Sequence, residues 1–249
     1  MKRCTGMNLV KAANKSSEAE PYGGNLRFER KFVYERGYVD DIIERVSLNP
    51  YGFKEVFYRR KVNNIYFDDS HHNFYKQNVA GVANRKKLRL RWYGDDTADI
   101  KDPSIEIKIK KGEVGDKVTC KFKGTTYNLS EQTAAGIHRS LLTSTSGNLP
   151  LQRSLELLHP ALINTYERRY FLSFCGRFRI TVDFNQEFFN PNDASYAAGK
   201  FKINDLVLEL KYGLESDTEA RQLSQYIDAR LSKNSKYVRG MNMLYHREL

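Results

Sequence analysis

Charged residues in this sequence alternate with apolar residues along several short segments. The segment 87–91 reads KLRLR, and the segment 105–110 reads IEIKIK. Successive side chains of a β-strand point to opposite faces, so this spacing predicts strands with one charged face and one apolar face. Arg and Lys side chains bind phosphate oxygens. The pattern therefore predicts a site for a ligand that carries several phosphate groups.

The same alternation recurs in other segments and predicts one large basic surface. Its basic members are Arg27, Lys31, Lys87, Arg89, Arg91, Lys108, Lys110, Lys117, Lys121, Lys123, Arg179 and Lys211. For any single strand, an ordinary antiparallel sheet with one wet face is the better explanation of the alternation. For the whole set, a closed barrel with charges inside and helices outside explains more, because every apolar face must be covered. Such a lumen needs a compensating anion, since confined like charges repel.

Four carboxylates share the predicted basic surface: Glu29, Glu106, Asp183 and Glu209. Each is a candidate salt-bridge partner for the neighbouring cations. In a polyphosphate site, one or two of them would instead hold Mg²⁺ or Mn²⁺, because hard divalent ions prefer carboxylate and phosphate oxygens. The sequence therefore leaves both roles open for these residues.

The elements that must position these residues are mainly strands. The predicted strands are Leu26–Tyr34, Val62–Asp68, Lys87–Tyr93, Ile105–Lys111, Lys117–Lys123, Ile163–Leu172, Arg177–Phe184 and Leu206–Tyr212. The predicted helices are Val39–Leu48, Gln132–Leu142, Leu149–Leu158, Ser216 to about Leu231, and Lys236–Leu244. We expect an α+β fold in which an eight-stranded antiparallel β-barrel forms a tunnel with helices packed outside. Residues 1–25 are predicted to be a flexible leader, and residues 26–249 a single domain.

Composition limits the classes of protein that fit. The chain has 249 residues, a formal net charge of +11 and 40% hydrophobic residues, which argues against long disorder. It contains no apolar run of about 18 residues, no P-loop and no GxGxxG motif. Three widely spaced cysteines exclude a disulfide scaffold and a CxxC metal site, and favour a reducing compartment. We expect a cytoplasmic protein that does not insert into a membrane and reaches one only through a partner protein.

An aromatic run next to basic residues suggests a second interpretation. Tyr51, Phe53, Phe57 and Tyr58 precede the basic segment 59–61. Aromatic and basic residues together can bind single-stranded nucleic acid by stacking. We favour the alternative that these aromatic residues cover one end of the barrel, and we expect no nucleic-acid partner.

The ordered set of segments resembles a known family. These segments are 27–31 (RFERK), 62–68 (VNNIYFD), 87–91 (KLRLR), 105–108 (IEIK), 166–169 (YERR), 179–183 (RITVD), 208–211 (LELK) and 233–237 (KNSKY). Together they resemble the triphosphate tunnel metalloenzyme (CYTH-like) superfamily. Within it they are most similar to the VTC domain, the polyphosphate polymerase domain of the vacuolar transporter chaperone family. The resemblance covers about residues 26–245.

The resemblance implies roles for particular residues. It implies a tunnel that binds triphosphate and a divalent metal, Mn²⁺ or Mg²⁺, with Glu209 as a metal ligand that Glu29 or Glu106 would assist. The expected catalytic residues are Lys31, Arg89, Arg91, Lys108, Arg168, Arg179 and Lys211. The expected substrate-binding residues are Arg27, Tyr66, Lys87, Lys110, Lys121, Lys233 and Lys236, with Lys117 or Lys123 as alternatives to Lys121.

The predicted function is transfer of the γ-phosphoryl group of ATP to a growing inorganic polyphosphate chain. ATP and polyphosphate are therefore the expected partners. Two alternatives stay open. A metal-dependent triphosphatase would use the same residues with water as the acceptor, and a polyanion-binding module would use them without turnover.

Overall fold

The structure is a computed structural model that describes residues 27–111, 114–145, 147–193 and 200–246. The predicted leader, residues 1–25, lies outside these ranges. Eight main strands form the frame: β1 Arg27–Tyr34, β2 Lys54–Asp68, β3 Asn84–Tyr93, β5 Ser104–Lys111, β6 Val114–Lys121, β8 His159–Leu172, β9 Arg179–Phe189 and β11 Leu206–Gly213. Four short strands accompany them: β4 Asp99–Lys101, β7 Thr126–Asn128, β10 Phe201–Ile203 and β12 Arg230–Leu231.

Helices fill several connections between the strands. The α-helices are α1 Val39–Ser47, α2 Asn73–Val79, α3 Ala134–Ser144, α4 Leu149–Glu156, α5 Asp217–Ser224 and α6 Lys236–Met241. A 3₁₀ turn, Leu214–Ser216, precedes α5, and a π-helical turn, Asn242–His246, follows α6. No helix among the described residues is both long enough and apolar enough to cross a membrane.

The strands pair into one large antiparallel sheet in the described part of the chain. Its order is β12-β1-β11-β9-β8-β2-β3-β5-β6, with β10 paired to β9, and β4 and β7 form a separate two-stranded sheet. All eight predicted strands are present, but β2 begins at Lys54 and β6 already ends at Lys121. The predicted α+β class with a large antiparallel sheet is therefore confirmed. The strand count was too low, because four short strands were missed.

The two ends of the sheet come close together. Among the described strands, no backbone ladder joins β1 to β6, although these two strands lie in contact. The sheet is nevertheless strongly curved, because Lys108 on β5 lies 3.3 Å (Nζ to Oε2) from Glu29 on β1. These two strands stand near opposite ends of the strand order, and only a curled sheet brings their side chains together.

Helices cover the apolar face of the curled sheet. Near β2, β3 and β5, helices α3 and α4 pack on a core that includes Leu90 and Trp92. Near β1, β9 and β11, helices α1 and α5 pack on a second core that includes Val182 and Leu208. Strand alternation then turns the charged residues to the uncovered side, as the sequence predicts.

Helix α6 closes one end of the sheet. Tyr237 and Met241 pack there with Tyr66 and Leu162 in a third apolar cluster. The approach is close at Gly240, where a Cβ atom would lie 2.5 Å from a ring carbon of Phe188. The sequence predicted this helix, although it ends at Met241 before the π-helical turn.

Two local predictions were wrong. The helix expected from Ser216 to about Leu231 ends at Ser224. Arg230 and Leu231 instead pair with Val33 and Phe32 at the edge of β1, where free backbone groups offer hydrogen bonds. Helix α2 was not predicted, and it begins where the Asp68 carboxylate accepts hydrogen bonds from two backbone N–H groups of that helix, both at 2.9 Å.

Candidate active site

One side of the sheet carries a dense set of ion pairs, and we call this surface the charged face. Its members are Glu29, Lys31, Lys87, Arg89, Arg91, Glu106, Lys108, Lys117, Arg168, Thr181, Asp183, Glu209, Lys211 and Lys236. All but Lys236 come from strands, and Lys236 opens helix α6. The arrangement brings together residues from β1, β3, β5, β6, β8, β9 and β11.

Glu209 lies at the centre of one group. Its Oε1 is 3.1 Å from Nζ of Lys31, and its Oε2 is 3.0 Å from Nζ of Lys211. The same Lys31 ammonium lies 2.9 Å from Oε1 of Glu29. Burial alone would raise the pKa of Glu209, but Lys211, Lys31 and Arg168 hold it well below its usual range. These cations therefore stabilise the ionised form of the Glu209 carboxylate.

A second group surrounds Asp183, whose side chain is fully buried. Arg168 donates two hydrogen bonds to this carboxylate, at 2.5 and 2.7 Å, and Lys236 donates a third at 2.5 Å. Nζ of Lys236 and the guanidinium of Arg168 also lie over the ring of Tyr166, 4.6 and 5.2 Å from its centroid. Burial would raise the pKa of Asp183, and the two cations outweigh burial and lower it.

Glu106 organises a third group. Its Oε2 is 2.6 Å from Nη2 of Arg89, and its Oε1 is 2.6 Å from Nζ of Lys117. Arg89 also donates to the hydroxyl of Tyr66 at 3.2 Å. Arg91 lies 3.7 Å from Glu106, and it donates to Asn64 Oδ1 at 2.9 Å and to the Tyr166 hydroxyl at 3.1 Å. These contacts fix the orientation of both guanidinium groups.

Lys87 differs from the other cations of the charged face. Its ammonium donates to Ser235 Oγ at 2.8 Å, and no carboxylate of the described residues lies within ion-pair distance of it. Burial, together with the positive charges of Lys31 and Lys108, lowers the pKa of Lys87 to about 7. A bound anion would stabilise the charged form of Lys87 directly.

The other predicted site residues lie farther out. Arg179, Lys121 and Lys233 are exposed, and Lys110 is half-buried on the same side of β5 as Lys108. Arg27 begins β1, and its side chain lies outside the description. Of the three alternatives on or after β6, Lys117 is the residue that contacts Glu106, while the exposed Lys123 follows the end of the strand.

The carboxylates of the charged face are the candidate ligands for a divalent metal. No group of three or more His, Cys, Asp or Glu residues in the described ranges could hold a metal by itself. Glu29 and Glu209 nevertheless share the Lys31 ammonium, so their carboxylates face a common point, whereas Glu106 contacts other cations. Two carboxylates completed by phosphate oxygens fit the coordination that Mg²⁺ prefers. The chemistry of these donors therefore fits a metal that binds together with a phosphate ligand.

Several contact residues escaped the sequence prediction. Asn64, Asn234 and Ser235 orient cations of the charged face, and Asn64 carries a signal, because Asn is rare inside strands. One buried polar atom on this side, Thr181 Oγ1, has no hydrogen-bond partner among the described residues. Buried polar groups are normally paired, so this hydroxyl could donate a hydrogen bond to a ligand.

A comparison of sequence families identifies the family of this chain. The model of the VTC domain family matches residues 27–245 of this chain. The match spans nearly the whole sequence, so this chain belongs to the VTC domain family. No curated protein matches the chain.

Three solved structures are similar to this chain at low identity. The PH1819 protein of Pyrococcus horikoshii OT3 is 14% identical with a TM-score of 0.48, covering 89% of this chain and 99% of its own. A protein of Vibrio parahaemolyticus, described as a candidate adenylate cyclase, is 14% identical with a TM-score of 0.46, covering 85% and 97%. A chain of the Schizosaccharomyces pombe Mediator head module is 8% identical with a TM-score of 0.47, covering 83% and 96%.

Proposed function

We propose that this chain is a polyphosphate polymerase that transfers the γ-phosphoryl group of ATP to the end of an inorganic polyphosphate chain. The observation that carries the proposal is the excess of cations on the charged face. Nine basic side chains face four carboxylates there, and Lys87 has no carboxylate partner in the described part of the chain. A linear chain of phosphates supplies the missing negative charge.

The curled sheet would enclose this ligand as a tunnel. The ion pair between Lys108 and Glu29 spans the two sides that strand pairing leaves open. Lys31 donates to the carbonyl oxygen of Asn234 at 2.9 Å, which ties the segment before α6 to the same surface. We infer that the phosphate chain lies along the charged face between these contacts.

The chemistry needs no side-chain nucleophile. An oxygen of the terminal polyphosphate group attacks the γ-phosphorus of ATP, the bond between that phosphorus and the β,γ-bridging oxygen breaks, and ADP leaves. The attacking oxygen is already ionised at neutral pH, so no general base is required. Catalysis then consists of positioning and of neutralising charge on the phosphoryl oxygens.

The residues divide this work by their geometry. Arg89, Arg91 and Arg168 are held by hydrogen bonds in fixed orientations, which suits them to grip phosphate oxygens. Arg179 is the expected fourth clamp at the exposed end of β9. The flexible ammonium groups of Lys31, Lys108 and Lys211 neutralise developing charge. A divalent metal held by Glu209 and Glu29 would neutralise further charge on the phosphates.

A product assay tests the proposal. Purified protein is incubated with ATP and Mn²⁺, and the products are separated by size. We expect long polyphosphate together with ADP. Release of orthophosphate without polymer would indicate a triphosphatase instead, and tight polyphosphate binding without turnover would indicate a binding module.

A pair of arginine variants ties the activity to the charged face. Arg89→Gln should abolish polymer formation, because it removes a cation held on this surface by Glu106. Arg221→Gln is the matched control, since Arg221 pairs with Asp217 on α5, and this helix packs on the apolar face of the sheet. Equal activity of the two variants would contradict the proposed site.

A further inference from the structure

An arginine surrounded by aromatic rings lies at the end of the sheet opposite to α6. The guanidinium carbon of Arg60 is 4.7 Å from the ring centroid of Phe57 and 5.8 Å from those of Tyr93 and Tyr170. Phe57 and Tyr170 also contact each other edge to face, with centroids 5.8 Å apart. We call these four residues the mouth cluster. They come from the early part of β2 and the final residues of β3 and β8.

The mouth cluster continues the charged face without a break. Tyr93 follows Arg91 by two residues on β3, and Tyr170 follows Arg168 by two residues on β8, so strand alternation puts each pair on one side. The guanidinium of Arg168 lies 6.0 Å from the Tyr170 ring centroid. Arg60 itself is the register partner of Arg168. A ligand on the charged face would therefore extend directly into the cluster.

Covering one end of the barrel does not account for these aromatic side chains. Phe53 is 4% exposed and packs in the core near α1 and α5, as a covering residue should. Phe57 and Tyr93, by contrast, are 52% and 47% exposed. Arg60 is also exposed, and none of the described carboxylates forms an ion pair with it. Half of each ring and one guanidinium group are thus available to a planar partner.

We propose that the mouth cluster binds the nucleobase of the nucleoside triphosphate donor while its phosphates lie along the charged face. This inference rests on the proposed function. Nucleobases stack on aromatic rings and on Arg guanidinium planes, and the cluster offers both. Tyr93 and Arg89 are four residues apart on one strand, which corresponds to about 13 Å. That length suits an extended nucleotide with its base at Tyr93 and its terminal phosphates near Arg89.

A mononucleotide fits the site better than a nucleic-acid strand. Binding of single strands uses successive stacking platforms along a groove. Here one exposed aromatic cluster stands at the end of the charged face, because Tyr66 and Tyr166 on that face are buried against its cations. Tyr58, which is 84% exposed on β2, contributes no ring contact to the cluster.

Binding measurements with two ligands test the inference. Calorimetry of the full chain with EDTA present, so that neither ligand turns over, compares ATP with inorganic tripolyphosphate. Tyr93→Leu and Phe57→Leu should each weaken ATP binding by at least about fivefold, because a stacked base is lost. Neither variant should change tripolyphosphate affinity by more than about twofold. Tyr93→Phe keeps the ring and should bind ATP as the wild type does.

Controls separate this inference from the proposed function. Tyr38→Leu removes a tyrosine that is 79% exposed before α1, and it should leave both affinities unchanged. Equal losses for both ligands, or unchanged ATP affinity in Tyr93→Leu and Phe57→Leu, would overturn the inference alone. A wild-type chain that binds neither ligand would overturn the proposed function as well. A short oligoadenylate that binds more tightly than ATP, and is not displaced by tripolyphosphate, would identify a nucleic-acid site and overturn the inference.

Discussion

Lys87→Met should make the free protein more stable while weakening its binding of phosphate. Most substitutions of a half-buried residue lower stability, so this sign is diagnostic. Lys87 donates to Ser235 Oγ, but its charged neighbours are cations. Removing the ammonium relieves this repulsion in the free protein and removes an attraction in the bound one.

The magnitude follows from the depressed pKa. Burial and the neighbouring cations lower the pKa of Lys87 from its ordinary 10.5 to about 7. Each pKa unit of difference between the folded and the unfolded chain corresponds to about 1.4 kcal/mol, so about 5 kcal/mol is an upper bound, and about 2 kcal/mol is realistic for a half-buried group. Below pH 7 Lys87 is protonated in both the folded and the unfolded chain. The folded chain then carries the full cost of the buried, repelled charge. Between pH 7 and about 10.5 the native state loses its proton first, so wild-type stability rises in this window.

Denaturant unfolding at several pH values measures this effect. At about pH 6 Lys87→Met should have a higher free energy of unfolding than the wild type, and the difference should shrink as the pH rises above 7. Lys101→Met is the matched control, because Lys101 is an exposed lysine on β4 that pairs with Asp99. A variant that is less stable than the wild type at pH 6 would refute the reasoning.

Proton uptake on binding supplies an independent readout. A bound polyphosphate gives Lys87 the missing anion, so Lys87 holds its proton to higher pH and binding above pH 7 takes up a proton. Calorimetry of tripolyphosphate in buffers of different ionisation enthalpy measures this uptake. Ionisation of the ligand is common to both proteins, so the difference between wild type and Lys87→Met belongs to Lys87. Equal proton uptake by the two proteins would contradict the assignment.

Three further substitutions probe other parts of the structure. Glu209→Gln should abolish Mn²⁺-dependent turnover and leave part of the phosphate binding, and activity within about twofold of the wild type would disprove its metal role. Asp183→Asn should lower the free energy of unfolding by about 3–5 kcal/mol in urea, because two buried cations lose their counter-charge; an unchanged midpoint would speak against that pairing. Gly240→Ala should cost about 1–3 kcal/mol in a thermal melt, since its Cβ would lie 2.5 Å from Phe188 and 2.6 Å from Leu162. An unchanged melting temperature would mean that α6 packs less closely.

The strands and their two faces could be predicted because alternation is a local property. Side chains such as Leu88 and Leu90 lie in the core, while Arg89 and Arg91 lie on the charged face, as their spacing requires. The predicted helix end at Leu231 was wrong, because the structure of this segment depends on a contact that is not local. Leu231 pairs with Phe32, far away in the chain, and no local pattern reveals that contact.

The aromatic run illustrates the same limit. Its composition predicted either stacking on nucleic-acid bases or covering of the barrel end. In the structure, its residues lie in two different environments. Phe53 lies in the core, whereas Phe57 remains exposed beside Arg60. Only the partners that β3 and β8 supply, Tyr93 and Tyr170, turn the exposed half into a cluster.

Alternation along the chain sets which residues share a side of each strand, and it makes that side rich in cations. The pairing of each carboxylate with its cation comes from the fold. Glu29 reaches Lys108 across the curl of the sheet, and Asp183 meets Lys236 at the start of helix α6. Lys87 is left without a carboxylate among the described residues. Strand order and sheet curvature set these pairings, because the partners are distant in the chain and no period of the sequence brings them together.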